Sequence, residues 1–452
     1  MAESRKMKGG FVKKDRISEL PRNLQEIILC FLPIRDAVRT SILSTKWRHS
    51  WTMIPRLSFN YSMFDYEDSD ERWFSFVEPH GRQMNALKFV SAINKVLLRH
   101  NGPILKFSME TPSECDPLIT HDYINQWIPL FARKGIKQLV LCDTELREVG
   151  LHQFASLDLT HLRLLSVWFP YTPVNGRFTC LKNLELIDAT YDFGPSIFHC
   201  PVLEKLTLIG CQGIFHTNFL APNLKCLLQI CREITSDFSS IGLENLTEFS
   251  FMLTFVPEKQ TETSNVVKFL SNLPKIEKFS AGLCFIKYLA AGGSPNRLPK
   301  PLSYLKTLSI CNMDFTDSYE ISCLLCLIRS APNLCKLHIL ADCYLYGKKD
   351  LKNCWIDDSE ISSFDNLEIV TFSDFQGRIA ELELVKFLLA HSPSLKTMSI
   401  HRSEGMKKDV ALAMTDDMLE FPRSSSRAKI RRLIRRVSIT DFDDELWADY
   451  YL

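Results

Sequence analysis

The residues with chemistry to offer in this chain of 452 residues are few, and their spacing brings no reacting set together. Cys323-x-x-Cys326 is the only pair of cysteines at that separation. Such a pair can hold a metal or cycle through a disulfide, but a zinc site needs a second Cys or His pair at finger distance, and none follows. The pair sits inside Ile321 to Ile328, an apolar run at helical spacing, where free thiols act as small hydrophobes. The eleven histidines are scattered along the chain. Phosphate-cradling glycine loops, the H-E-x-x-H metal pattern and the G-x-S-x-G nucleophile turn are absent from the sequence. No catalytic residue, cofactor or metal is expected, and the chain reads as a binding protein.

Two stretches offer binding chemistry instead. Asp15 to Asn60 carries Leu24, Ile27, Ile28, Phe31 and Leu32 at helical spacing. Leu20-Pro21 opens that helix, because the N–H missing from proline costs nothing there, and Pro33 closes it. A second helix is predicted from Ile34 to Leu43, with Val38 and Ile42 on one face. Ser44 suits the N-cap of a third helix, which would set Trp47 and Trp51 one turn apart. Three helices this short bury too little to be stable alone, so the apolar surface left over suggests a docking face. The second stretch is the basic run Arg427 to Arg436. It could be a nuclear-import signal or a phosphate-binding patch. The spacing of Ile430, Leu433 and Ile434 favours the solvated face of a terminal helix.

The element that must carry these surfaces is a repeat. L-x-x-L-x-L, with Leu replaceable by another apolar residue, recurs from Ile104 to Leu395. Good copies are Leu162/Leu165/Val167, Leu181/Leu184/Leu186 and Leu203/Leu206/Leu208. Ile104, Ile136, Leu224, Leu246, Ile276, Leu305, Leu334, Leu367 and Leu395 open the others. The mean step is roughly 26 residues, inside the leucine-rich-repeat range. A strand alternates its side chains, so the last two apolar positions point inward, and each repeat buries them by stacking on its neighbours. Leu324 to Pro332, Leu384 to Pro393, Val266 to Pro274 and Ile93 to Leu98 read as returning helices. The repeats between Leu162 and Leu246 are nearer 20 residues and leave room for turns or 3₁₀ segments only. Three loops interrupt the pattern: Thr254 to Asn265, Ala290 to Pro301 and Asp342 to Asp358.

The side chain between the two inward positions faces the concave surface. Those positions are Ser166, Glu185, Thr207, Ser250, Ser280, Ser309, His338, Thr371 and Ser399. They are mostly small and polar, which suits a protein target. A net charge of +1 and the lack of a Lys/Arg strip there argue against nucleic acid. No apolar run reaches the length of a membrane span, so no membrane partner is expected. Fifteen cysteines without a regular framework, and no apolar leader, fit a reducing compartment, the cytosol or nucleus.

The N-terminal stretch resembles the F-box. The matching residues are Ile17-Ser18-x-Leu20-Pro21, Ile28-x-x-Phe31-Leu32-Pro33, Asp36-Ala37-Val38-x-Thr40-Ser41-x-Leu43-Ser44 and Trp47-Arg48-x-x-Trp51. Asn366 to Ile400, followed by Leu419-Glu420-Phe421-Pro422-Arg423-Ser424, resembles the FBD domain that accompanies F-boxes and leucine-rich repeats in plant proteins. The resemblance implies an α/β chain: a three-helix F-box, then a leucine-rich-repeat solenoid with a parallel sheet on its concave side and helices and turns outside, closed by FBD repeats. Expected boundaries are a basic tail 1–14, F-box 15–60, linker 61–84, repeats 85–355, FBD 356–426 and a C-terminal extension 427–452. The resemblance further implies a non-catalytic substrate-recognition subunit of a cullin ubiquitin ligase. Leu20, Pro21, Leu24, Ile28 and Leu32 would dock a Skp-type adaptor, and through it a cullin and RING subunit, while the repeats hold an unknown target. A non-degradative scaffold and a small-molecule receptor are the rival readings.

Overall fold

The computed structural model describes residues 17, 19–60, 79–110, 117–142, 151–169, 175–191, 196–212, 217–231, 243–253, 270, 273–283, 285–290, 296–342, 363–403, 414 and 418–433. The predicted tail 1–14, the loop Thr254 to Asn265 and most of Val266 to Pro274 and Asp342 to Asp358 lie outside them. The chain divides into two compact units, Met1–Pro170 and Tyr171–Leu452.

In the first unit, α1 (Arg22–Cys30) starts directly after Pro21, and α2 (Ile34–Arg39) directly after Pro33. A 3₁₀ turn, Thr40–Ile42, extends α2 toward its predicted end. The expected third helix does not form. Turns follow Leu43 and lead to a 3₁₀ segment, Ser50–Met53. Ser44 does cap locally, since its Oγ accepts from the Lys46 N–H at 3.2 Å, but that bond closes a turn rather than opening a helix. Trp47 and Trp51 are both buried.

Four parallel strands follow: β1 (Arg56–Asn60), β2 (Lys106–Glu110), β3 (Gln138–Cys142) and β4 (His161–Leu165). The ladder therefore begins inside the segment expected as the F-box. Ile54-x-x-Leu57-x-Phe59 is a further copy of the repeat pattern, with all three side chains buried. The Phe59 ring packs on Phe107 at 5.6 Å, and Phe107 on Phe131 at 4.7 Å. α3 (Pro79–Arg99) and α4 (Pro117–Lys134) are the returning helices, so α3 starts within the expected linker. At the joint, Thr52 O accepts from the N–H groups of Asn101 and Gly102 at 2.9 and 3.1 Å, and the His100 ring bonds Ile54 O at 2.8 Å. A Cβ on Gly102 would come within 2.9 Å of the Met53 carbonyl oxygen, so only glycine fits there.

This joint carries a prediction for truncated chains. Removing residues up to Asn60 strips Leu57 and Phe59, worth roughly 2 kcal/mol each on burial, and bares the edge of β2. A chain of residues 61–452 is expected to aggregate on gel filtration. A chain of residues 54–452, which keeps β1, is expected to run as a folded species with a cooperative melt.

The second unit holds ten parallel strands in one ladder. They are β5 (Asn183–Ile187), β6 (Lys205–Ile209), β7 (Cys226–Cys231), β8 (Glu248–Leu253), β9 (Lys278–Leu283), β10 (Thr307–Met313), β11 (Lys336–Ala341), β12 (Ile369–Phe375), β13 (Thr397–Arg402) and β14 (Lys429–Leu433). The predicted inward leucines, isoleucines and phenylalanines form the core. Gln229 takes an inward place on β7, between Leu208 and Phe251, where only Leu224 and Leu227 stood out in the sequence. The predicted returning helices are α7 (Ser318–Arg329) and α8 (Ile379–His391), with a shorter α6 (Phe285–Ala290) and, in the first unit, α5 (Leu151–Phe154). In the short repeats the returning segments pair as a second sheet, Thr217–Leu220, Ser196–His199 and Asn175–Arg177, where turns or 3₁₀ segments were expected. Repeats of near-equal length stack these segments at strand spacing, and Phe178 packs on Phe198 at 6.3 Å.

Asparagines just before the first leucine of a repeat tie successive turns together. Asn223, Asn245 and Asn333 donate Nδ2 to the carbonyls of Pro201, Pro222 and Ser303 at 2.7, 2.8 and 2.7 Å. Beside them run exposed ion pairs, such as Lys306–Glu277 at 2.9 Å and Lys396–Glu368 at 2.7 Å, each worth under about 1 kcal/mol. Past the core positions several strands turn through left-handed residues: Asp188 (φ 50°), Gly210 (62°), Asn312 (58°) and Asp374 (53°). These residue types tolerate that conformation best. At Asn312 and Asp374 the register slips, which lets Met313 and Phe375 rejoin the ladder.

The basic run forms no terminal helix in its described part. Residues Lys429–Leu433 are instead the last strand, parallel to β13.

Candidate functional site

The helices α1 and α2 place their apolar side chains on two faces. Leu29, Ile34 and Ala37 are buried; α1 packs on the 3₁₀ segment Ser50–Met53 and α2 on β1. Gln25, which sequence reading passed over, pins the start of α1. Its Nε2 donates to Leu20 O at 2.9 Å, and its Oε1 accepts from Ser50 Oγ at 3.0 Å. The other face looks outward. Leu24 is 42% exposed, Ile28 41%, Leu32 38% and Phe31 84%. Ile27, Ile42 and Leu43 are exposed as well. Of the predicted adaptor residues, Pro21 is exposed and Leu20 half-buried. Burying such side chains on a partner is worth roughly 1.5–3 kcal/mol each when complete. The α1 face thus offers hydrophobic docking and no proton, nucleophile or ligand chemistry.

The residues between the inward positions form one continuous row in the second unit. It runs Glu185, Thr207, Leu228, Ser250, Ser280, Ser309, His338, Thr371, Ser399 and Arg431, strand by strand in register. Leu228 and Arg431 were not foreseen. Ser166 does not belong to any such row. In the first unit the row is Ser58, Ser108, Val140 and Arg163, and Ser166 sits past β4 at φ 55°. The sequence pattern slipped there because Leu159/Leu162/Leu164 fits as well as Leu162/Leu165/Val167. The inward pair is Leu162 and Leu164, both buried.

The row is uneven in depth. Thr207, Ser250 and Ser309 are buried, whereas Glu185, Ser280, His338, Thr371 and Ser399 are half-buried. Two residues further along the strands lie Ile187, Ile209, Ile230 and Met252, which cluster with Leu228 on this face. A cavity of about 540 Å³ lies elsewhere in the unit, beside the C-terminal end of α7. Arg297, Arg329 and Asp365 line it with apolar side chains and asparagines.

Several of the described thiols are buried and unreactive. Cys323 and Cys326 are buried in α7. Burial pushes the thiols of Cys200, Cys211, Cys231, Cys311 and Cys323 up to about 12, so they stay protonated and inert at neutral pH. An Ellman titration of the native protein is expected to leave at least these five unreacted. The denatured protein should titrate all fifteen cysteines.

The architecture defines a class: an F-box followed by leucine-rich repeats and an FBD segment. The F-box domain family matches residues 17–59, the FBD family residues 365–400, and the family described as "FBD-associated F-box protein At5g56370, LRR repeats" residues 124–339. The chain belongs to the F-box/FBD/LRR-repeat proteins. The "F-box/FBD/LRR-repeat protein At1g13570" of Arabidopsis thaliana is 34% identical over 433 residues, covering 92% of this chain and 98% of that one. The "Putative F-box protein At3g58860" of the same plant is 25% identical, covering 86% of this chain and 88% of its own. The "Putative F-box/FBD/LRR-repeat protein At2g05300" is 23% identical, covering 93% and 97%. No described helix is long and apolar enough to cross a membrane.

Proposed function

We propose that this chain is the substrate-recognition subunit of an SCF-type cullin ubiquitin ligase. Leu20, Pro21, Leu24, Ile28 and Leu32 dock a Skp-type adaptor, which links to a cullin and a RING subunit. The open sheet face of the repeats holds the target protein. The observation that carries this reading is the apolar face of α1, which stands in solvent while Leu29, Ile34 and Ala37 on the other side of the helix pair are packed away.

The mechanism is proximity. Holding a target beside a charged ubiquitin carrier makes transfer effectively intramolecular and raises the local concentration of target lysines to the millimolar range or so. The receptor contributes no reacting group, so it is not an enzyme by itself. Its work occurs where the adaptor and cullin are, in the cytosol or nucleus.

Proximity labelling in cells tests the reading against a scaffold role. One arm uses the unaltered chain and the other a chain with charge on the α1 face. Partners whose half-lives lengthen only in the second arm are the expected result. Unchanged turnover of every labelled partner would favour the scaffold.

A further inference from the structure

The strand that replaces the expected terminal helix changes the chemistry of the sheet face at that end. β14 sets Arg431 beside Ser399 and Lys429 beside Thr397. Across β11 to β14 one row reads His338, Thr371, Ser399, Arg431. The row two residues earlier reads Lys336, Ile369, Thr397, Lys429. Side chains two apart on a strand share a face, and neighbouring strands lie about 4.8 Å apart, so the four strands span roughly 14 Å. Three cations, an imidazole and three hydroxyls share that face with no carboxylate in either row. Lys336, Lys429 and Arg431 are exposed, and none is ion-paired among the described residues. Acidic side chains come at the margins: Glu368, held by Lys396 at 2.7 Å, and Asp342 and Asp374 toward the far ends of β11 and β12. The same rows on β5 to β9 mix signs, with Glu185 in one and Glu248 bound to Lys278 at 3.0 Å in the other.

We propose that this face of β11 to β14 grips an acidic segment of the target protein. The inference rests on the reading of the repeats as a target-binding surface and names the chemistry that surface selects. Carboxylate or phosphate oxygens accept from Lys336, Lys429 and Arg431, and the Thr371, Thr397 and Ser399 hydroxyls complete the donor set. Nucleic acid fits less well. The patch is short, and neither row carries a Phe, Tyr or Trp on which a base could stack.

Fluorescence anisotropy with the full-length chain tests this with labelled probes of about twelve residues: an Asp/Glu-rich peptide, its phosphoserine counterpart, and a version with Lys in place of the acids. A single-stranded DNA oligonucleotide of about twelve nucleotides and a peptide copied from residues 438–449 are the remaining arms. The acidic probes are expected to bind, with a Kd that rises about tenfold between about 50 and about 300 mM salt. The relative affinity of carboxylate and phosphate probes identifies which anion the target supplies. Lys336→Glu, Lys429→Glu and Arg431→Glu together should weaken binding at least about a hundred-fold, at roughly 1 kcal/mol or more per charge reversed. Lys336→Arg with Lys429→Arg should retain binding. All three positions are exposed, so melting temperature and adaptor affinity should hold. Acidic probes that fail to bind, equal binding by the triple variant, or tighter binding of the Lys peptide or the DNA would overturn the proposal. So would tighter binding of the 438–449 peptide, which would assign the face to the chain's own sequence. Adaptor affinity measured on the same samples separates this outcome from failure of the ligase reading.

Discussion

Leu24→Asp combined with Ile28→Asp is expected to weaken binding of a Skp-type adaptor at least about a hundred-fold, because two apolar contacts become buried charges in the complex. The free protein should melt within about 2 °C of the unaltered chain, since both side chains already stand more than two-fifths in solvent and surface changes seldom exceed about 0.5 kcal/mol. Leu29→Asp is the contrasting change. Leu29 is fully buried on the opposite side of the same helix, so a carboxylate there should unfold the F-box and lose the adaptor for a trivial reason. Calorimetry of the free chains alongside adaptor titrations separates the two cases. An adaptor affinity for the double variant within threefold of the original would show that the α1 face is not the docking surface.

Glu381→Ala is expected to cost about 3 kcal/mol of stability. Glu381 is fully buried at the third position of α8. It accepts from the Arg378 N–H at 2.8 Å and from the Gln376 N–H at 3.1 and 3.2 Å. Alanine would strand two backbone donors at about 1–3 kcal/mol each. Glu381→Gln keeps one acceptor oxygen and should lose about half as much. Glu320 does the same work at the start of α7, accepting from the Asp314 N–H at 3.1 Å. The arrangement therefore recurs in two repeats.

These two acids also set a pH dependence. Burial pushes the Glu381 carboxyl up to about 7, against the pull of the N–H donors and of Arg378, and burial likewise raises Glu320 to about 7. The unfolded chain releases these protons near 4.5. Between about pH 4.5 and 7 the folded state thus holds protons that the unfolded state has lost. The stabilisation is complete below about 4.5 and disappears as pH rises through about 7, by up to about 3 kcal/mol per group. Urea melts at pH 5 and pH 8 should show that difference shrinking by one group's share in Glu381→Gln. An undiminished difference would place the pH dependence elsewhere.

The repeat core was legible because its signal is redundant. Each L-x-x-L-x-L is short, but its neighbours bury the same positions, so Leu203/Leu206/Leu208 and Leu334/Leu337/Ile339 could be read directly. The failures have local causes. Leu164-Leu165 made two registers equally good and misplaced Ser166. Ile54/Leu57/Phe59 lay in a stretch already read as helical, which hid the first strand. Arg432, level with Ile400 on β13, broke the apolar pattern and hid the last one. That strand brought Arg431 and Lys429 onto the sheet, and with them a cationic face that no single repeat announces. Trp47 and Trp51 sit at helical spacing, yet both are buried in a turn-rich segment, because tertiary packing outweighs a weak local preference. The α1 face was readable for the opposite reason. It carries more apolar side chains than so short a helix can bury.

Titration of the purified full-length chain with a purified Skp-type adaptor, followed by isothermal calorimetry, tests the central claim most directly. A one-to-one complex with a dissociation constant below about 1 μM and a negative heat-capacity change from apolar burial is the predicted result. No heat and no co-elution at concentrations near about 100 μM, from a chain that melts cooperatively, would contradict it.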